Sequence, residues 1–400
     1  MAIYSKKQLE NYAEALIWGV TTARPGFKKG DTIQLRFDAP GLELAEVLYA
    51  KLVKRGFNVF LRFLPTPMMD VALHNASTHE QRRFLFAGDK EFWGSINGDM
   101  VIRAPASLTH LKGAPESSLM DMTLTRNDLR SIRVANEEKG LAGWTLCTYP
   151  TEELARQAGL SLKEYARQVA KACYLDVKDP AKKWGEIMRD STKIKKWLNS
   201  LGIDTIRTES KSMDLEVKFG EKRNFIGVSG HNIPSFELFT SPDWRGTKGV
   251  YYANFPSFKD GNYVEGVRLE FKDGRAVKIN AEKSEKFVRG TLATDRGAAQ
   301  VGEYSLTDRR FSKIDKFMAD TLFDENHGGK YGNSHIAVGS SYSDTYAGDI
   351  RKLTPELKEK LGYNKSAVHW DLVNTEDKKV TATLKNGKKV TIYEGGQFKY

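Results

Sequence analysis

Glu325, His327, His335, Tyr342, His369 and Asp371 fall within one stretch of the chain, which holds three of its seven histidines together with two acids and a phenol. Imidazoles, carboxylates and a phenol gathered this closely are the side chains of a metal site with an acid/base partner. The densest part is the run Ser366-Ala367-Val368-His369-Trp370-Asp371-Leu372-Val373. Its polar residues lie two apart within apolar β-type sequence. A strand there puts His369 and Asp371 on one face and Val368, Trp370 and Leu372 on the other. That pair could grip one cation or flank two; equally, it could sit on a half-buried strand and hydrogen-bond to its neighbours.

Two more acids lie in similar settings. Glu237 is enclosed by Phe236 and Leu238 in the run Asn232-Ile233-Pro234-Ser235-Phe236-Glu237-Leu238-Phe239-Thr240. Glu303 follows a glycine turn in Gln300-Val301-Gly302-Glu303-Tyr304-Ser305-Leu306. An acid in an apolar run either faces water or has a partner. Taken alone, each of these glutamates reads first as a solvent-facing strand residue.

The elements that must position these groups divide into two kinds. Up to about residue 200 the pattern alternates. Lys7 to Val20 reads as an amphipathic helix, Thr32 to Phe37 as a strand, Leu42 to Arg55 as a helix with Gly56 at its C-cap, and Asn58 to Phe63 as a strand. Asp99 to Arg103 and Gly143 to Thr148 read as further strands, with Met68 to Gly88 and Asp121 to Gly140 as helical segments. From the N-cap Thr151 helical spacing runs on to Cys173, and Pro180 starts a basic helix towards Leu201. Strands alternating with helices imply a parallel sheet covered by helices. The turn Asp38-Ala39-Pro40-Gly41 lacks the glycines that admit a pyrophosphate, so no dinucleotide site is expected.

After Gly202 strands and tight turns take over. Val264 to Phe271 and Ala276 to Asn280 flank an Asp273-Gly274 turn, and Val380 to Leu384 faces Lys389 to Tyr393 across Asn386-Gly387. The expected fold is therefore α/β with a Rossmann-like N-terminal domain, and a helical extension, over residues 1–200. A β-rich (α+β), antiparallel catalytic domain follows over 201–400 and contains every candidate site residue. His74, His79 and His110 lie outside it without ligand spacing and are read as packing residues.

Composition narrows the classes. With 40% hydrophobic and 28% charged residues the chain is an ordinary globular protein. No apolar run approaches the roughly 20 residues a bilayer requires, and residues 1–14 lack the apolar core of a signal peptide. Two widely separated cysteines, Cys147 and Cys173, suit a reducing cytoplasm. The formal charge of +11 raises nucleic acid as a partner. Its lysines and arginines are dispersed, however, and read as solvated helix faces rather than as a recognition module.

With these residues in place, the sequence resembles the aminopeptidase T type of thermophilic metalloaminopeptidases. The resemblance runs from Asn11-Tyr12-Ala13 through Trp144-Thr145-Leu146 and Tyr149-Pro150-Thr151 to the C-terminal half. There it is carried by Asn232-Ile233-Pro234, Glu237-Leu238-Phe239-Thr240, Val264-Glu265-Gly266, Ala293-Thr294-Asp295, Gly302-Glu303, Thr321-Leu322-Phe323-Asp324-Glu325, His335-Ile336-Ala337-Val338-Gly339 and His369-Trp370-Asp371-Leu372-Val373. It implies a dinuclear site with Glu237, Glu303, Glu325, His335, His369 and Asp371 as ligands, Glu303 bridging, and Tyr342 as the catalytic tyrosine. It also implies cobalt, zinc or magnesium as the metal, a homodimer, and peptides with a free N-terminus as substrates. In one respect the chain departs from the pattern: a glycine-containing loop, residues 326–334, separates Glu325 from His335, where family members place the histidine closer. This leaves His327 as an alternative ligand to Glu325. His231 also neighbours the site segment and is read as not touching substrate.

Four carboxylates and two neutral imidazoles would supply hard and borderline ligands to two divalent ions, whose charge the acids need. A shared hydroxide and a polarised carbonyl are what amide hydrolysis requires. Tyr342 could then donate to the oxyanion, or, as a plain loop tyrosine, pack on Tyr346. The expected function is removal of N-terminal residues from peptides by a metal-activated hydroxide. The rivals are another dinuclear amidohydrolase acting on small amides, and a non-catalytic peptide- or nucleic-acid-binding relative.

Overall fold

The computed structural model describes residues 3–400; of the N-terminal stretch read above, Met1 and Ala2 lie outside them. The chain divides into two compact units. One comprises residues up to 186 with 229–235 and 260–262; the other comprises 187–228, 236–259 and 263–400.

The first unit is built on a five-stranded parallel sheet in the order Asn58–Phe63, Thr32–Phe37, Gly98–Arg103, Gly143–Thr148, Asn232–Ile233. Helices Lys6–Ala23 and Leu42–Lys54 supply apolar side chains such as Leu16, Val20, Leu44 and Leu48 to its core. Ile33, Gln34 and Leu35 are consecutive and all buried, as a strand covered on both faces requires. Among its buried polar groups, Gln34 donates to Asp99, and Arg36 holds the same carboxylate through two bonds of 2.9 and 2.6 Å. At Gly41 a Cβ would come within 2.8 Å of Ile102, so the turn after the first strand is closed by packing. The helical stretch expected from Thr151 to Cys173 is two helices, Glu152–Gln157 and Leu162–Ala172. Gly159 takes a positive φ of 69°, and Ser161 with Glu164 forms a capping box that starts the second helix.

The second unit contains two antiparallel sheets. The larger has eight strands, in which Val267–Lys272 and Arg275–Asn280 are joined by Asp273 and Gly274, both at positive φ as a type I′ turn demands. The smaller has four strands in the order His369–Asn374, Asn333–Gly339, Val301–Thr307, Glu237–Thr240. One face of this small sheet is core, with Leu238, Tyr304, Leu306, Ile336 and Leu372 all buried. Tyrosines tie it to the larger sheet: Tyr304 shares a 2.6 Å hydrogen bond with Thr208, Tyr251 donates to the Leu372 carbonyl and Tyr393 to that of Thr307. Each buried ring thus fills volume and satisfies its own hydroxyl. The opposite face carries the candidate site. Among the described residues no helix is long and apolar enough to cross a membrane.

Candidate metal centre

Register alone brings most of the predicted residues together. On the small sheet Glu303 lies opposite Ala337, which lies opposite Asp371; Ser305 lies opposite His335, and Gly339 opposite His369. Glu237 enters from the edge strand, opposite Thr307. Strand alternation then points Glu237, Glu303, His335, His369 and Asp371 to the same side. Between the two acids Glu303 and Asp371 stands only the methyl group of Ala337, so space remains above the sheet where a longer side chain would fill it.

Gly302, expected in a turn, lies inside the strand at a bulge, where the register shifts between Val301 and Glu303. A Cβ on Gly302 would fall 2.3 Å from the Gly339 carbonyl oxygen and 2.4 Å from that of Ser340. Only glycine permits this close approach, and the bulge re-aims the strand beside Glu303.

The donor atoms converge. Ligand atoms of Glu237, Glu303 and His335 lie within 4.8 Å of one another, and so do those of Glu303, His369 and Asp371. Glu303 belongs to both groups. His335 Nε2 is 3.2 Å from Glu237 and 3.2 Å from Glu303, while His369 Nε2 is 3.6 Å from Asp371 and 3.7 Å from Glu303. The Ser340 carbonyl, 2.9 Å from His369 Nδ1, can only accept, so Nδ1 carries a proton and Nε2 is the nitrogen turned toward the acids and open to a cation. Ser305 donates to Glu237 Oε2 at 2.9 Å and fixes that carboxylate.

Glu325 caps the short helix Thr321–Asp324 and is buried. It is in neither donor group, yet it shares their field: burial, then Glu237 and Asp371, push its carboxyl well above the usual range. Burial and the Glu237 charge likewise push Glu303 up to about 7, against the pull of His335 and His369. Against a burial that would lower it, hydrogen bonds to Glu237 and Glu303 raise His335. Burial works against the charge on Asp371 too, but His369, His335 and Lys259 hold this carboxyl low. Crowded, buried acids that must keep protons are in the state divalent cations relieve, and cation entry displaces those protons. The donor set of carboxylates and imidazoles therefore fits divalent cations.

The loop 326–334 is pinned rather than flexible. Asn333 donates to the carbonyls of Glu325 and His327, Asn326 accepts from the Phe236 amide, and Gly328 and Gly329 both donate to the Ile314 carbonyl. His327 points elsewhere: its ring packs edge-on to Phe255 at 4.8 Å, and burial lowers it to about 4, with Asp315 and Lys378 as the charges acting on it. Tyr342 stands beside the cluster, its ring 4.8 Å from His369 and 5.9 Å from Phe239, with its backbone amide donating to Ser241. In the first unit, His231 stacks on Trp144 at 4.6 Å and faces Glu137 at 2.9 Å. There too, His74, His79 and His110 hydrogen-bond to Ser118, Asp121 and Asp70 respectively. Reading the sequence missed Ser305 and Phe239, although each lies two residues from a named acid and so shares its strand face.

A family model described as thermophilic metalloprotease (M29) matches residues 5–398. Aminopeptidase PepS of Streptococcus thermophilus is 25% identical over 98% of each chain. Aminopeptidase T of Thermus thermophilus is 29% identical over 64% of this chain and 66% of its own. The solved structure of wild-type AmpT from Thermus thermophilus superposes with a TM-score of 0.81 at 23% identity, covering 99% of this chain and 100% of that one, and shows the shared fold.

Proposed function

Because the chain belongs to the thermophilic metalloprotease (M29) family, we propose that its carboxylate and imidazole cluster holds two divalent cations and cleaves the first peptide bond of substrates with a free α-amino group. The chain is a metal-dependent aminopeptidase, and relatives that carry that name span nearly its whole length. The observation that supports two ions rather than one is the membership of Glu303 in both donor groups. Glu237, Glu303 and His335 would serve one ion, and Glu303, His369 and Asp371 the other. Glu325, within the field of Glu237, Asp371 and Glu303, completes the ligand set. Such donors accept cobalt, zinc or magnesium.

When bound, the cations supply Lewis acidity toward the scissile carbonyl and make a water acidic enough to serve as nucleophile. The protein's own groups do the rest. Ser305 and the Ser340 carbonyl hold Glu237 and His369 in their ligating orientations. Tyr342, a neutral phenol beside His369, donates a hydrogen bond to the carbonyl oxygen as it gains charge. Asp371, the part-exposed acid of the cluster, would hold the substrate ammonium and so set the adjacent carbonyl in place.

Residues 201–400 would then form the catalytic domain and 1–200 the Rossmann-like one, in a homodimer acting on peptides. Both cysteines are buried thiols, which fits a reducing, cytoplasmic setting.

Recognition of the ammonium is open to a direct check. An N-acetylated peptide, stripped of the charge and bulkier at its docking point, should turn over about ten- to a hundredfold more slowly than its free-amine twin at equal metal loading. Steady-state rates on the matched pair decide it; equal rates would favour a general amidohydrolase acting on small amides.

A further inference from the structure

Among all residues of the four site-sheet strands, only Phe239, His369 and Asp371 are part-exposed; every other one is buried. The open side of the centre is therefore bounded by an imidazole and a carboxylate at one end and by a phenyl ring at the other. Tyr342 stands between them, edge-on to His369 at 4.8 Å and to Phe239 at 5.9 Å. Phe239 shares its strand face with Glu237 and stands in a cross-strand row that runs from Ile226 through Phe239 and Ser305 to His335. Its partners toward the centre of the sheet are thus polar, and with Ile226 on its outer side the ring forms an apolar edge beside the donor groups.

We propose that Phe239 is the specificity residue that receives the side chain of the N-terminal residue being removed, and that the enzyme selects medium-sized to large apolar residues there. The inference rests on the aminopeptidase reading and extends it to the substrate class. With the ammonium on the acid side and the carbonyl beside Tyr342, the substituent on the α-carbon is directed to the remaining side of the opening, where Phe239 lies. An apolar ring left partly in water gains from an apolar side chain that covers it, whereas glycine leaves it wet and a charged side chain loses hydration against it. The Tyr342 contact adds a second effect, because removing the ring also loosens the phenol. That effect is common to all substrates, whereas the side-chain effect is not.

The test measures kcat/KM of the full-length, metal-loaded enzyme on glycyl, alanyl, leucyl and phenylalanyl p-nitroanilides. Wild type is expected to favour the leucyl and phenylalanyl substrates over glycyl by about ten- to a hundredfold. In Phe239→Ala that preference should contract by about tenfold, mainly through KM, and Phe239→Leu should recover most of it for the leucyl substrate. A uniform fall on all four substrates would reduce Phe239 to a support for Tyr342 and overturn the proposal, as would an unaltered preference. Should the alanine variant fail to fold, product inhibition of the wild type decides: free L-leucine must inhibit more strongly than glycine, and equal inhibition overturns the assignment. If wild type cleaves none of the four at any metal loading, the aminopeptidase reading itself falls, and that outcome is distinct from an active enzyme with flat selectivity.

Discussion

Replacing Glu303 with glutamine is expected to lose bound metal and hydrolysis together, with kcat/KM down by more than about 10³-fold. Among the described residues, Glu303 is the one that belongs to both donor groups. The amide has the same size and keeps the strand in place. It offers one neutral oxygen where two charged ones were needed, and its NH₂ turns a donor toward the cations. His335 would also face an amide instead of a carboxyl group at 3.2 Å. Folding should not suffer. The Glu303 carboxyl is pushed up to about 7 by burial and by Glu237, so the cation-free fold gains nothing from its charge. Elemental analysis, rate and thermal melting on the same preparation separate loss of metal from loss of fold. Two retained ions and a normal rate would remove Glu303 from its shared position.

Tyr342→Phe should behave in the opposite manner, keeping metal yet losing roughly 10²–10³ in kcat. The phenyl ring remains against His369 and Phe239, and the backbone anchor to Ser241 does not involve the side chain. Only the hydroxyl disappears. A donor that acts on the developing oxyanion affects kcat far more than substrate binding, so KM should move little. Unchanged turnover with full metal content would leave Tyr342 as a packing residue.

Much of this arrangement could be read from periodicity. A spacing of two fixes which residues of a strand share a face, so His369 and Asp371 could be paired within one strand, whereas Glu237 and Glu303 stood out only as acids in apolar runs and the family resemblance drew them into the site. The pairing that unites them depends on register between strands distant in sequence, which no local pattern encodes. The Gly302 bulge is an example: a glycine before an acid reads as a turn, whereas here it admits the backbone of Gly339 and Ser340 at close range. The loop after Glu325 is another. Its glycines signal freedom, but the side-chain amides of Asn326 and Asn333, which bond to backbone groups of neighbouring segments, hold it in place. In the first unit the parallel order was legible from helix and strand alternation. The last strand, Asn232–Ile233, was not, being two residues long and separated from the others by more than eighty residues of chain.

The central claim is that two divalent cations, held by one carboxylate-rich face, are required for peptide hydrolysis. Its most direct test is to remove metal from the full-length enzyme by chelation and follow hydrolysis of a free-amine peptide while cobalt, zinc or magnesium is titrated back, with bound metal counted at each step. The account predicts that activity vanishes on chelation and returns as binding approaches about two ions per chain. Full activity in protein shown to be metal-free would contradict it.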